Sequence, residues 1–193
     1  SDFAFREDDA YNERLYAIKY ETKDGQRYYR APNERDLANE AKVKQIVADN
    51  IISWQEQGLV PSMTIESGYN TDQVIRERGW TYWNHLFNAR QLLMQQSFMS
   101  IVKREANDQK EIAIGLMGLN KISDYNSRLS SWNGSAANEK VEHTFYNQSL
   151  NTMFVFGSRG LYSTNSCWFF NINPYRVNEE AIVNLIDARE VSN

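Results

Sequence analysis

The chain has 193 residues, 41% hydrophobic and 13% aromatic, which is enough apolar material for the core of one domain and excludes a disordered polar tract. Its formal net charge is -4, which excludes the overall basic excess of a freestanding nucleic-acid binder; any DNA role must use a local patch or positive charge from neighbouring parts of a longer protein. A single cysteine, Cys167, excludes an internal disulfide and a four-thiolate zinc site and points to a reducing cytoplasm, and with no stretch of about 18 apolar residues no transmembrane helix is expected.

In chain order, residues 1–13 are acidic and polar and read as a lead-in, opening on Ser1-Asp2-Phe3 as if cut from a longer chain. Two aromatic-rich runs, Leu15 to Thr22 and Arg27 to Arg30, flank a Lys-Asp-Gly-Gln turn and predict a β-hairpin that Pro32 ends. Asn33 is a good N-cap, with Glu34 and Asp36 in the first turn. Leu37, Ala41, Ile46, Val47, Ile51 and Trp54 then form a helical stripe that stops at Gly58. Residues 59–71 read as loop, and Thr71 as the cap of a short helix through Arg78. Asn88 is expected to cap a helix running to about Glu105, with Leu92, Leu93, Gln96, Met99 and Val102 on one face. Asn107-Asp108 breaks it, and a further helix is expected from Ile112 to about Ser127, with Ile112, Leu116, Leu119 and Ile122 in register. Gly115 and Gly118 weaken that helix by roughly 1 kcal/mol each relative to Ala, so close helix packing is their expected reason.

Asn133-Gly134-Ser135 opens a polar loop, Val141 to Phe156 fits either strand or helix, and a last helix bears Ile182, Leu185 and Ile186. The fold class expected is α+β and mainly helical: an N-terminal hairpin within residues 1–32, then a helical, bundle-like core over 33–193, the two forming one compact unit.

Few residues look poised for catalysis. Cys167 has His85 and His143 as conceivable partners, but it lies in an aromatic run where a thiol is usually a small buried hydrophobe. There is no GxSxG elbow, no HExxH and no GxGxxG; Gly157-Ser158-Arg159-Gly160 is an isolated turn rather than a cofactor loop. Asn173-Pro174-Tyr175 is superficially like the loop with which amino-methyltransferases hold a flipped base, yet it has one proline and reads as a turn. Arg76 to Trp83 sets arginines beside aromatics, Arg90-Gln91 begins a helix, and Asn126, Arg128 and Trp132 follow. Arg and Gln can read purine edges and aromatics can stack on unpaired bases; equally, the aromatics can fill a core with the arginines on its rim.

Two blocks carry a resemblance. The first is Arg78-Gly79-Trp80-Thr81-Tyr82-Trp83-Asn84-His85-Leu86-Phe87-Asn88-Ala89-Arg90-Gln91-Leu92-Leu93. The second runs from Ser123 through Asn126-Ser127-Arg128-Leu129 to Trp132, followed by His143-Thr144-Phe145 and Gln148-Ser149-Leu150. In order and spacing they resemble the middle of large adenine-specific DNA methyltransferases, over roughly residues 15–176; Ala89 stands where those proteins usually have Pro. The resemblance implies an internal, non-catalytic region lying between the part that binds S-adenosylmethionine and the Pro-Pro-Tyr catalytic loop. It implies no cofactor in this piece, no activity alone, and DNA as the partner of the whole enzyme. The candidate DNA contacts are Arg78, Trp83, Arg90, Gln91, Asn126, Arg128 and Trp132. The alternative is a structural or assembly domain that packs on the catalytic core or pairs two copies.

Overall fold

The computed structural model describes residues 13–69, 71–135, 139–144 and 157–159. The expected class holds: the described chain is mainly helical α+β with an N-terminal hairpin. Strands β1 (Ile18–Glu21) and β2 (Arg27–Arg30) pair antiparallel, with Ile18 opposite Arg30 and Tyr20 opposite Tyr28. Asp24-Gly25 makes the turn, closed by backbone bonds between Thr22 and both Gly25 and Gln26.

Helix α1 (Glu34–Glu56) begins with a capping box: the Asn33 side chain accepts from the Asp36 N–H, and the Asp36 carboxylate accepts from the Asn33 N–H. Its buried stripe is narrower than the periodicity suggests. Val47 and Trp54 are buried, whereas Leu37 is 47% exposed, because only the second half of the helix lies on the core. Helix α2 (Asp72–Arg78) also departs from expectation at its start. Thr71 occupies the N-cap position, but its hydroxyl donates to the Glu66 carbonyl instead, and the Asp72 carboxylate accepts from the Gly68 N–H.

Helix α3 (Ala89–Glu105) opens on a second capping box, Asn88 with Gln91, and packs against α1 on one side and α4 (Gln109–Asp124) on the other. Helix α4 begins three residues earlier than the apolar register implied, because Asp108 caps it through the Glu111 N–H at 2.9 Å. Its buried face is made of Ala113, Gly115, Gly118 and Ile122; of the four larger residues expected in register, only Ile122 is buried. The expected reason for the glycines is correct at Gly115: a Cβ there would stand 2.7 Å from both γ carbons of Val102 on α3. Gly115→Ala should therefore overpack the α3–α4 contact by about 1–3 kcal/mol, more than offsetting the roughly 1 kcal/mol of helix propensity it adds. In a Val102→Ala background the same change should stabilise, and a double-mutant cycle read by denaturant unfolding should find the two positions coupled by at least about 1 kcal/mol. Additive effects would remove this explanation for Gly115.

Among the described residues, two apolar clusters stand out in the core. Val47, Trp54, Leu59, Val60 and Leu92 join α1 to α3. Ile65, Val74, Trp80 and Leu86 pack α2 against a one-turn 3-10 segment, Trp83–Leu86. Phe87 touches both clusters and so links them. Asn133 ends a short strand, β3 (Trp132–Asn133), which pairs with β4 (Lys140–Val141), and the expected polar loop opens at Gly134-Ser135. Phe145, Gln148, Cys167, Asn173-Pro174-Tyr175 and the last predicted helix lie outside the described residues. No described helix is long and apolar enough to cross a membrane.

Candidate nucleic-acid interface

The two motif blocks, separated by about 30 residues in sequence, meet in space. Gln91, in the first turn of α3, is 0% exposed. Its Oε1 accepts from the Asn88 N–H at 2.9 Å, completing the capping box, and its Nε2 makes a long contact of 3.4 Å to Asn126 Oδ1. Asn126 lies just past the end of α4 and is 2% exposed. Its Oδ1 also accepts from the Arg159 backbone N–H at 2.9 Å. Both amides are interior groups whose hydrogen-bonding edges face other parts of this chain. They do not offer those edges to a base, as the sequence had suggested.

Arg128 closes the seam from the second block. Its N–H donates to the Leu86 carbonyl at 2.8 Å and its guanidinium to the His85 carbonyl at 2.9 Å. It also pairs with Glu13, and lies over the Trp80 ring at 5.7 Å. Burial first, and the Arg128 charge second, lower the pKa of His85, so its Nδ1 is free to accept from the Thr81 N–H at 3.2 Å.

The remaining candidates lie nearer the surface. Arg78, at the end of α2, also lies over the Trp80 ring, 5.2 Å from its centroid. Trp83 is half-buried against the second apolar cluster. Arg90 projects from the first turn of α3 and donates through Nε to Glu40 of α1 at 2.6 Å, its side chain 40% exposed. Trp132 is also 40% exposed and has the Lys19 ammonium over its ring at 5.8 Å.

Several residues in the seam were not singled out from the sequence for the work they do. His143 Nδ1 lies 2.5 Å from the Asp124 carboxylate, and His143 Nε2 lies 2.6 Å from the Tyr125 hydroxyl. Burial, then the nearby Asp124 carboxylate, raises the Tyr125 pKa. The phenol thus keeps its proton, and the His143 ring bridges it to the Asp124 carboxylate. An Asp-His-Tyr row can relay a proton, but a phenol whose pKa is raised is not an activated nucleophile. What the row does in the fold is brace the end of α4 against the residues after β4. Thr144 adds to this brace: its N–H donates to Asp124 Oδ1 at 3.1 Å, and its hydroxyl lies 2.8 Å from that of the fully buried Ser127.

Gly157-Ser158-Arg159 is the other unforeseen part. A Cβ on Gly157 would fall 2.4 Å from Val141 Cγ2, so only glycine lets this strand of chain lie on β4. Ser158 accepts from Asn88 Nδ2 at 2.7 Å. The Arg159 guanidinium turns inward, donating to the Tyr125 and Val141 carbonyls and stacking 4.8 Å from the Tyr125 ring. Burial lowers its pKa. This segment thus latches onto both blocks. The signal that could have found the seam is the Asn-x-x-Gln spacing of Asn88 and Gln91, which specifies a capping box before it specifies a base reader.

Among the described residues no group of three or more His, Cys, Asp or Glu is arranged to hold a metal ion. Comparison with protein-family models, curated proteins and solved structures gives no match to this chain.

Proposed function

We propose that this chain is the non-catalytic internal region of an adenine-specific DNA methyltransferase that helps to recognise or position the DNA. The observation that carries the reading is the convergence of the two blocks of resemblance on one seam, through Gln91–Asn126 and the bonds of Arg128 to His85 and Leu86. Blocks that recur together in order would be expected to build one unit, and here they do. In this reading the seam fixes the shape, and Arg78, Trp83, Arg90 and Trp132, which keep exposed surface, face the nucleic acid. The methyl donor, S-adenosylmethionine, and the chemistry belong to other parts of such an enzyme, which works in the cytoplasm.

The test is a titration of labelled duplex DNA with the 193-residue chain, followed by fluorescence anisotropy over a series of salt concentrations. Binding is expected to be weak, given the net charge of -4, and steeply salt-dependent. Arg90→Ala should lower the affinity and reduce the slope of log affinity against log salt by about one unit. Its ion pair with Glu40 is partly exposed, so the fold should lose no more than about 1 kcal/mol. Superimposable titrations for wild type and variant at every salt concentration would remove Arg90 from the interface.

A second reading, a structural or assembly domain that packs on a catalytic core or pairs two copies, is favoured by the interior positions of Gln91 and Asn126. It predicts no salt-dependent DNA binding by any variant, and a dimer or a complex with the catalytic part in sedimentation.

A further inference from the structure

The β1–β2 hairpin concentrates what the rest of the chain lacks. Residues 18–30 carry four Lys and Arg against two carboxylates, within a chain whose net charge is -4. The register puts Tyr20, Tyr28 and Arg30 on one face. Tyr20 and Tyr28 stack with centroids 5.3 Å apart and planes within 12°. Tyr28 is 44% exposed, and Arg30 is exposed beside it. The opposite face is otherwise engaged: Lys19 donates to the Glu139 carbonyl in the second hairpin and lies over Trp132. The face with the stacked tyrosines therefore turns away from that contact.

A preformed, parallel aromatic pair with an open outer ring is a stacking platform, since each unpaired base presents a flat π surface of similar size. The exposed Arg30 beside it suits a phosphate that accompanies each base. A duplex offers no open base faces, and an apolar peptide would gain nothing from the local positive charge.

We propose that the Tyr20–Tyr28 face of the hairpin binds single-stranded DNA, with a base stacked on Tyr28 and a neighbouring phosphate at Arg30. The proposal rests on the DNA-positioning reading for its ligand, and it adds a surface outside both motif blocks. Such a contact suits an enzyme that extrudes an adenine, because the hairpin could hold unstacked strand beside the target.

The experiment measures binding of the 193-residue chain to labelled oligo(dT), oligo(rU) and duplex DNA by anisotropy at low salt. Tyr28→Ala should weaken oligo(dT) binding about tenfold and leave duplex binding unchanged, because one base stack is lost. Tyr28→Phe keeps the ring and should bind oligo(dT) as wild type does, which separates stacking from loss of the hydroxyl. Circular dichroism melts of both variants should match wild type, since the ring lies at the surface. Wild-type oligo(dT) affinity in a folded Tyr28→Ala variant overturns the proposal, as does tighter binding of oligo(rU) than of oligo(dT). If Tyr28→Ala is inert while Arg90→Ala still weakens duplex binding, the hairpin proposal falls and the positioning role stands. If no nucleic acid binds at all, both fall.

Discussion

Replacing Trp80 with Ala is expected to destabilise the fold by about 3–5 kcal/mol, the largest effect of any single change in the first block. Trp80 is 6% exposed and packs with Ile65, Val74 and Leu86, so truncation opens a cavity where α2, the 59–71 connection and the 3-10 segment meet. The Arg78 and Arg128 guanidiniums that lie over the ring would lose their aromatic partner as well. Trp80→Phe, which keeps much of the ring, should lose less. For a chain of this size each kcal/mol moves the thermal midpoint by roughly 2–4 °C, so the Ala variant should melt on the order of 10 °C lower. A midpoint unchanged from wild type would show that Trp80 is not a core residue.

Asn126→Leu is expected to cost about 1–3 kcal/mol although it adds apolar volume to the interior. The loss comes from partners and not from packing. The Arg159 N–H, buried and 2.9 Å from Asn126 Oδ1, would have no acceptor, and Gln91 Nε2 would lose its longer bond. The segment 157–159 should loosen first, since Arg159 also holds the Tyr125 and Val141 carbonyls. Amide hydrogen exchange would detect this as faster exchange at Arg159 and Thr144, with α1 unaffected. Equal protection at Arg159 in wild type and variant would mean that the seam does not depend on Asn126.

Much of the architecture was readable because local signals and tertiary structure agree. The hairpin has Asp-Gly between aromatic runs, and α1 and α3 each begin with an Asn whose side chain caps the helix. Misreadings arose where a residue serves two grammars. Leu37 keeps the apolar period of α1 but lies beyond the core. Thr71 stands at an N-cap position yet turns its hydroxyl back to Glu66. The face of α4 follows its small residues, because a close approach by Val102 requires Gly115, and periodicity weighs only apolar size.

The candidate site was legible in part. The two stretches that the sequence singled out do meet in space, but the sequence could not separate interior amides from surface ones. Gln91 and Asn126 are polar residue types usually found at the surface, and only their partners explain why they are buried. The Asp124–His143–Tyr125 row is invisible in sequence, because 18 residues separate Tyr125 from His143 and the chain between them folds into the second hairpin.

The central claim is that the two blocks build a buried seam while DNA is met by side chains outside it. The most direct test measures thermal midpoint and salt-dependent DNA affinity together for Arg90→Ala and Asn126→Leu, below the melting range of both. The account predicts a clean division. Arg90→Ala melts near wild type but binds more weakly, with a shallower salt slope, whereas Asn126→Leu melts lower yet binds like wild type while folded. The opposite pattern, with Asn126→Leu losing affinity at unchanged stability and Arg90→Ala binding normally, would contradict it.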